Sequence, residues 1–139
     1  MTILYVCRSN VVRSQIAETF HNSFGGWADS AGIFVGNREG MRIKDIEHTK
    51  NLVTVMEEVN INIAENKLTQ LNEDMLNEYS RLIVMAEPNI WSDYLTNNKK
   101  VEYWYIEDPK GTDLESHRNL RDQIKSKVSE FIVTCHNYY

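Results

Sequence analysis

Cysteine is scarce in this chain: Cys7 and Cys135 are the only two in 139 residues, too few for a disulfide framework. Proline occurs twice, at Pro88 and Pro109, and the six glycines gather in no Gly/Pro/Ser-rich linker. With no repeat and no low-complexity tract either, residues 1–139 read as one domain. No apolar run approaches the roughly 18 residues of a membrane span. The opening MTILYVCRS is too short for a signal peptide and lacks its basic first region. Basic residues are the minority, 15 Lys and Arg against 20 Asp and Glu, for a net charge of −5. That balance argues against a nonspecific nucleic-acid binder while leaving room for a local basic pocket. Four scattered histidines make no zinc pattern. The expectation is a soluble, cytoplasmic protein with no metal, no cofactor, and neither nucleic acid nor membrane as partner.

What is present fits an ordinary globular chain, with 42% hydrophobic and 25% charged residues. Residues 2–6 form a β-prone run, and Ile16, Ala17, Phe20 and Phe24 then recur at helical spacing over 13–24. Gly25 and Gly26 stop that helix, and WADSAG returns as a second strand. After the glycine-bearing segment 36–40, Ile43, Ile46, Leu52, Val53 and Met56 predict a helix. The continuous apolar run 82–86 reads as a strand covered on both faces. Pro88 suits the first turn of a helix carrying Ile90, Trp91 and Leu95. Residues 101–106 are a fourth strand, and 113–134 a long amphipathic helix. Strands alternating with helices predict an α/β three-layer sandwich, a four-stranded parallel sheet with helices on both faces.

Ligands of such sheets sit beyond the carboxyl ends of the strands. There the chain offers CRSNVVRS, SAG, EPN and EDPKG in turn. The first stands out, because it puts Cys7 where a strand ends and Arg13 where a helix begins. Successive N–H groups of residues 8–13 can wrap a tetrahedral anion, and the helix N-terminus adds positive character. Arg13 can grip two anion oxygens, and the same environment favours the nucleophilic thiolate of Cys7. Ser14 can donate to that thiolate, and Asn10 tolerates the left-handed backbone a tight loop needs. A cysteine at a strand end is ordinarily a small buried hydrophobe, and Asp-Pro is ordinarily a turn. Strand, loop, helix and the Ser after Arg13 together favour the functional reading. A leaving oxygen needs an acid, and Asp108, held before Pro109, is the candidate, with Glu107 competing.

At these residues the sequence resembles the low-molecular-weight protein tyrosine phosphatases. That family carries C-x5-R-S at its N-terminus and an Asp-Pro acid loop before its last helix. The stretches DSAG and RLIVMAEPN resemble its second- and third-strand segments. The resemblance implies a metal-independent phosphatase acting on phosphotyrosine, in protein or small aryl phosphate monoesters, through a phosphocysteine. Cys7 would be the nucleophile, Arg13 the clamp and Asp108 the acid and then base. The phosphate-binding loop would comprise Arg8, Ser9, Asn10, Val11, Val12, Arg13 and Ser14, with Asn10 and Ser30 holding its shape. The partner implied is a phosphorylated protein or small phosphomonoester.

The family loop commonly reads C-x-G-N-x-C-R-S. Here Ser9 replaces the glycine, straining the loop if that position needs a glycine conformation. Val12 replaces a second cysteine, and Lys110 stands where an aromatic often lines the cleft. The supporting His and Arg before the third strand have no counterpart in NIAENKLTQL. The related arsenate reductases share the fold and Arg13-Ser14-Gln15, but their chemistry needs further thiols, so here an external thiol such as glutathione would have to serve. A noncatalytic phosphate- or phosphoprotein-binding module is a third reading. Arg8, Arg38, Arg42 and Lys110 are expected to form a positive rim favouring acidic phosphopeptides. The histidines are expected to be solvated helix residues.

Overall fold

The computed structural model describes residues 1–108 and 113–138, with side chains through 135. Four parallel strands, β1 (Ile3–Cys7), β2 (Ala28–Gly32), β3 (Arg81–Val84) and β4 (Val101–Tyr103), form one sheet in the order β2-β1-β3-β4. The register sets Ile3 opposite both Ala28 and Arg81, and Cys7 opposite Gly32. Among the described residues the α-helices are α1 (Arg13–Ser23), α2 (Lys50–Glu57), α3 (Asp93–Thr96) and α4 (Leu114–Tyr138).

The alternation of β1 divides the core in two. Ile3, Tyr5 and Cys7 face α1, α2 and α4 together with Ile16, Phe20, Leu52, Met56, Ile124 and Val128. Leu4 and Val6 face the other way, onto Leu71, Leu76, Tyr79 and Leu95. All five β1 residues are buried, as a central strand between two helical layers requires. The three-layer α/β architecture with a four-stranded parallel sheet is therefore as the alternation of strands and helices predicts.

The element bounds differ in instructive places. The helix expected to run through Ile43 and Met56 is two pieces, a 3₁₀ turn at Ile43–Asp45 and then α2. Ile46 and His48 between them are extended and left-handed, His48 with φ of 66°. Pro88 does open a turn, but only a 3₁₀ one ending at Ile90, and Leu95 belongs to the separate α3. β4 stops at Tyr103, short of the expected 106, though Trp104 N–H still donates to Val84 C=O. The last helix starts where expected because the Asp113 carboxylate caps it, accepting from Ser116 N–H at 2.9 Å. Its apolar stripe then continues to Cys135, beyond the expected end.

Two histidines overturn their reading as solvated helix residues. His21 is buried, and its Nδ1 is hydrogen-bonded to the Tyr5 hydroxyl at 2.8 Å, with burial holding the imidazole toward its neutral form. His117 is buried at the start of α4. His48 is solvated but lies on a loop, and the side chain of His136 lies outside the described residues. Among the described residues no helix is long and apolar enough to cross a membrane.

Candidate active site

Cys7 is the last residue of β1 and Arg13 the first of α1, so the intervening loop turns at the carboxyl edge of the sheet. Asn10 takes the left-handed conformation, φ 56°, and is wholly buried. Ser9 is not among the positive-φ residues, so this loop carries its turn on Asn10 and Ser9 imposes no glycine-type strain. Among the described residues, the N–H groups of 8–13 meet no main-chain acceptor. A row of uncommitted donors at a helix N-terminus is what an anion site needs.

The loop is held from behind by β2 and by the segment before β3. A Cβ at Gly32 would stand 2.6 Å from Asn10 N and 2.7 Å from the Ser9 carbonyl carbon, so only glycine lets the loop pack there. Main-chain bonds from Ile33 N–H to Cys7 C=O and from Phe34 N–H to Arg8 C=O tie the two elements. The Asn10 amide is fully used. Its Oδ1 accepts from Thr69 N–H at 2.8 Å, and its Nδ2 donates to Ser14 Oγ (2.7 Å) and Ser30 Oγ (2.9 Å). Gln15 Nε2 donates to Asn10 C=O, Asn10 Oδ1 and Lys67 C=O. Gln70 fastens the outer turn, accepting from Val35 and Gly36 N–H and donating to Ile33 C=O. Gln15, Thr69 and Gln70 thus do the supporting work for which the segment offered no His or Arg. For Thr69 and Gln70, only the polar residues of LTQL hinted at this.

Ser14 Oγ lies 3.0 Å from Cys7 Sγ. Ser14 Oγ accepts from Asn10 Nδ2, and its own proton is free to turn toward sulfur.

Arg13 is buried and aimed by acceptors from two strands. Its Nη1 donates to Met85 C=O (2.7 Å), Ile106 C=O (3.0 Å) and Glu87 Oε1 (3.3 Å), while Nη2 lies 3.6 Å from Asp108 Oδ2. Glu87 was not singled out from sequence, although EPN was recognised as a strand-end segment. Asp108 is half-buried and shares with Cys7 and Arg13 a cleft of about 960 Å³. Ser9, Val11 and Val12 line it too, and so does His117, whose Nδ1–H donates to Asp113 C=O at 2.9 Å. Pro109 and Lys110 lie outside the described residues.

Among the described residues, the cleft presents mixed charge and not the expected positive rim. Arg38 and Lys50 line it, but so do Asp45 and Glu47. Arg42 is spent on Glu65 at 3.0 Å, and Arg8 stands over the Phe34 ring, 5.2 Å from its centroid. The mixed signs give no basis for a preference for acidic peptides.

Cys135 lies at the other end of the molecule. It packs beside Arg81, the first residue of β3, Glu102 of β4, and Trp104. Arg81 pairs with Ile3 in register, and Cys7 is four residues further along β1, about 13 Å at 3.3 Å per residue. The two thiols are at opposite ends of the sheet. Among the described residues no group of three or more metal-ligating side chains occurs.

The sequence profile of the family described as low molecular weight phosphotyrosine protein phosphatase matches residues 2–137. Similar curated proteins include an arsenate reductase of Staphylococcus aureus, 29% identical over 134 residues, 94% of this chain and 95% of the relative. A glutaredoxin arsenate reductase of Synechocystis is 29% identical over 132 residues, with the same coverage. Among solved structures, the low molecular weight protein tyrosine phosphatase from T. tengcongensis superposes with a TM-score of 0.79 at 23% identity, over 96% of this chain and 99% of that one. An arginine phosphatase from Geobacillus stearothermophilus reaches 0.82 at 22% identity, over 99% and 94%.

Proposed function

We propose that this chain, which belongs to the low molecular weight phosphotyrosine protein phosphatase family, hydrolyses phosphotyrosine and small aryl phosphate monoesters through a phosphocysteine. The observation that carries the reading is Asp108 on Arg13, 3.6 Å from Nη2, in the cleft that also holds Cys7. It supplies a proton donor on the open side of the anion loop, where a leaving oxygen would lie.

The steps follow from the residues. The loop N–H groups and the Arg13 guanidinium take the phosphoryl oxygens, fixing phosphorus in front of Cys7 Sγ. The thiolate attacks, a P–S bond forms, and the P–O bond to the carrier breaks while Asp108 gives its proton to the departing oxygen. The hydroxyl of Ser14 holds the sulfur's charge before attack and again as the P–S bond later breaks. Asp108, now a carboxylate, takes a proton from water as that water attacks phosphorus, and inorganic phosphate leaves with the thiolate restored. Carbonyls of Met85 and Ile106 keep Arg13 from turning as its ligand changes shape, which is preorganisation of the kind that dominates charge stabilisation. A working thiolate goes with a reducing compartment, in keeping with a cytoplasmic setting.

A second reading is favoured by the named relatives, which are arsenate reductases. The same loop would take arsenate, and since Cys135 is remote, an external thiol such as glutathione would complete the reduction. One assay pair decides. Metal-independent hydrolysis of p-nitrophenyl phosphate, lost in Cys7→Ser and cut strongly in Asp108→Asn, supports the phosphatase. Thiol-dependent arsenate reduction without ester hydrolysis supports the second reading. Phosphate binding with neither activity leaves a noncatalytic phosphate-binding module.

A further inference from the structure

Glu87 touches Arg13, yet the reaction steps give it no part. Its place is set by the chain around it. Three residues beyond β3 its backbone is extended (φ −62°, ψ 136°), the conformation favoured before a proline, here Pro88. Trp91 Nε1 donates to the neighbouring Ala86 C=O at 2.9 Å, and Ile90 N–H donates to Glu87 C=O at 3.1 Å. The side chain is half-exposed, and among the described residues Arg13 is its only ion-pair partner, at 3.3 Å. A pair so open to water adds little to stability.

The hydrogen-bond count on the guanidinium shows what Glu87 adds. Arg13 Nη1 has two hydrogens and meets three acceptors: Met85 C=O at 2.7 Å, Ile106 C=O at 3.0 Å and Glu87 Oε1 at 3.3 Å. The two carbonyls are nearer and already aim the group. Glu87 makes the longest of the three bonds, and it alone brings a charge. Nη2 and Nε make no hydrogen bond to the described residues, Asp108 standing 3.6 Å from Nη2. Since Arg13 lines the cleft, these are the donors an anion would meet. Among the described residues, the lining of the cleft does not include Glu87. It therefore stands at the back of the guanidinium, away from a leaving oxygen.

We infer that Glu87 is a positioning residue that acts through Arg13, loosening the loop's hold on a tetrahedral oxyanion by keeping a negative charge behind the guanidinium. One positive charge is then shared between a carboxylate at its back and an anion at its front, and each weakens the other's attraction. An unopposed arginine would grip a released oxyanion as firmly as one still attached to its carrier. Glu87 limits that grip without entering the cleft. The inference rests on residues 8–13 being an anion loop, though not on turnover.

Sulfate is the probe, because it is a dianion at pH 7 and needs no chemistry. Calorimetric affinities would be compared at low ionic strength in Cys7→Ser and Cys7→Ser/Glu87→Gln. Glutamine keeps the side chain's length and an oxygen for Nη1 while removing the charge. The expected result is that the double variant binds sulfate about three- to sixfold more tightly, an advantage that shrinks as potassium chloride is added. Equal or weaker binding overturns the inference, since a residue that merely steers Arg13 can only lose affinity when altered. Cys7→Ser/Glu87→Asp keeps the charge on a shorter stem and should stay within about 1.5-fold of Cys7→Ser. Should it instead match the glutamine variant, charge is not the cause and the inference falls. Sulfate binding to none of the three proteins overturns the anion-loop reading beneath it, a distinct outcome.

Discussion

The two ends of the sheet carry the same kinds of residue. At the carboxyl end stand a buried cysteine, a buried arginine and two carboxylates: Cys7, Arg13, Glu87 and Asp108. At the amino end stand Cys135, Arg81 and Glu102, the last two paired at 2.7 Å. What separates them is the backbone. Cys7 ends a strand and opens a turn whose N–H groups meet no main-chain acceptor, and the Ser14 hydroxyl lies 3.0 Å from its sulfur. Cys135 sits in the final turns of α4, where helical hydrogen bonding uses the main-chain donors, and burial pushes its thiol up. Charged neighbours do not by themselves make a cysteine a nucleophile. Donors with nothing else to bind do.

Exchanging chemistry at one end and then the other tests this, and the largest effect belongs to Cys7. Cys7→Ser should lower turnover of p-nitrophenyl phosphate by at least about 10⁴-fold, since nothing replaces the nucleophile. Cys135→Ser should leave kcat/KM within about twofold. A comparable loss in both variants would dissolve the distinction. Next comes Asp108→Asn, expected to cost about 10² to 10⁴ in kcat. That loss should shrink as the leaving phenol becomes more acidic, and a series of substituted phenyl phosphates would read the slope. A slope identical to the parent's would remove Asp108 as the acid. Arg13→Lys should cost about 10²- to 10³-fold, because an ammonium cannot hold Met85 C=O, Ile106 C=O and an anion in one plane. Arg81→Lys at the other end should leave turnover unchanged.

The Cys7 end was the more legible of the two because its information is local. Strand, five-residue turn, arginine and helix lie within a short stretch, and the left-handed backbone that Asn10 tolerates is where the structure has it. Contacts made from far along the chain were not legible. Nothing in EPN alone says that Glu87 will reach an arginine 74 residues away, or that Thr69 will present its N–H to Asn10 across 59. The broken helix near Ile46 was missed for a related reason. Apolar residues at helical spacing report burial, and here a 3₁₀ turn and a loop bury the same side chains without a continuous helix. His117 misled because one polar residue on an amphipathic helix is normally outward-facing, whereas this one closes the cleft wall. The charge of the rim was the hardest to anticipate, since the fold fixes Glu65 as the partner of Arg42 and the Phe34 ring as that of Arg8.

The smallest expected effect is on stability, and it separates the two ends by pH. Glu18, behind the Cys7 loop, is raised from 4.5 to about 7, so the folded chain holds that proton after the unfolded chain has lost it. The folded state then binds more protons between these values, and stability falls as pH rises from about 4.5 through 7 before levelling. Cys135 is also raised, but from 9.0, so its contribution is present below that value and is lost only above it. Thermal or urea unfolding of Glu18→Gln should therefore lack the parent's decline between pH 5 and 8. The difference grows to about 1–3 kcal/mol at pH 8. Cys135→Ala should run parallel to the parent over that range and diverge only in more alkaline solution. Were the parent's stability flat from pH 5 to 8, Glu18 would be ionised or solvated throughout. The Glu18 carboxyl would then lend no pH dependence to the Cys7 end of the sheet.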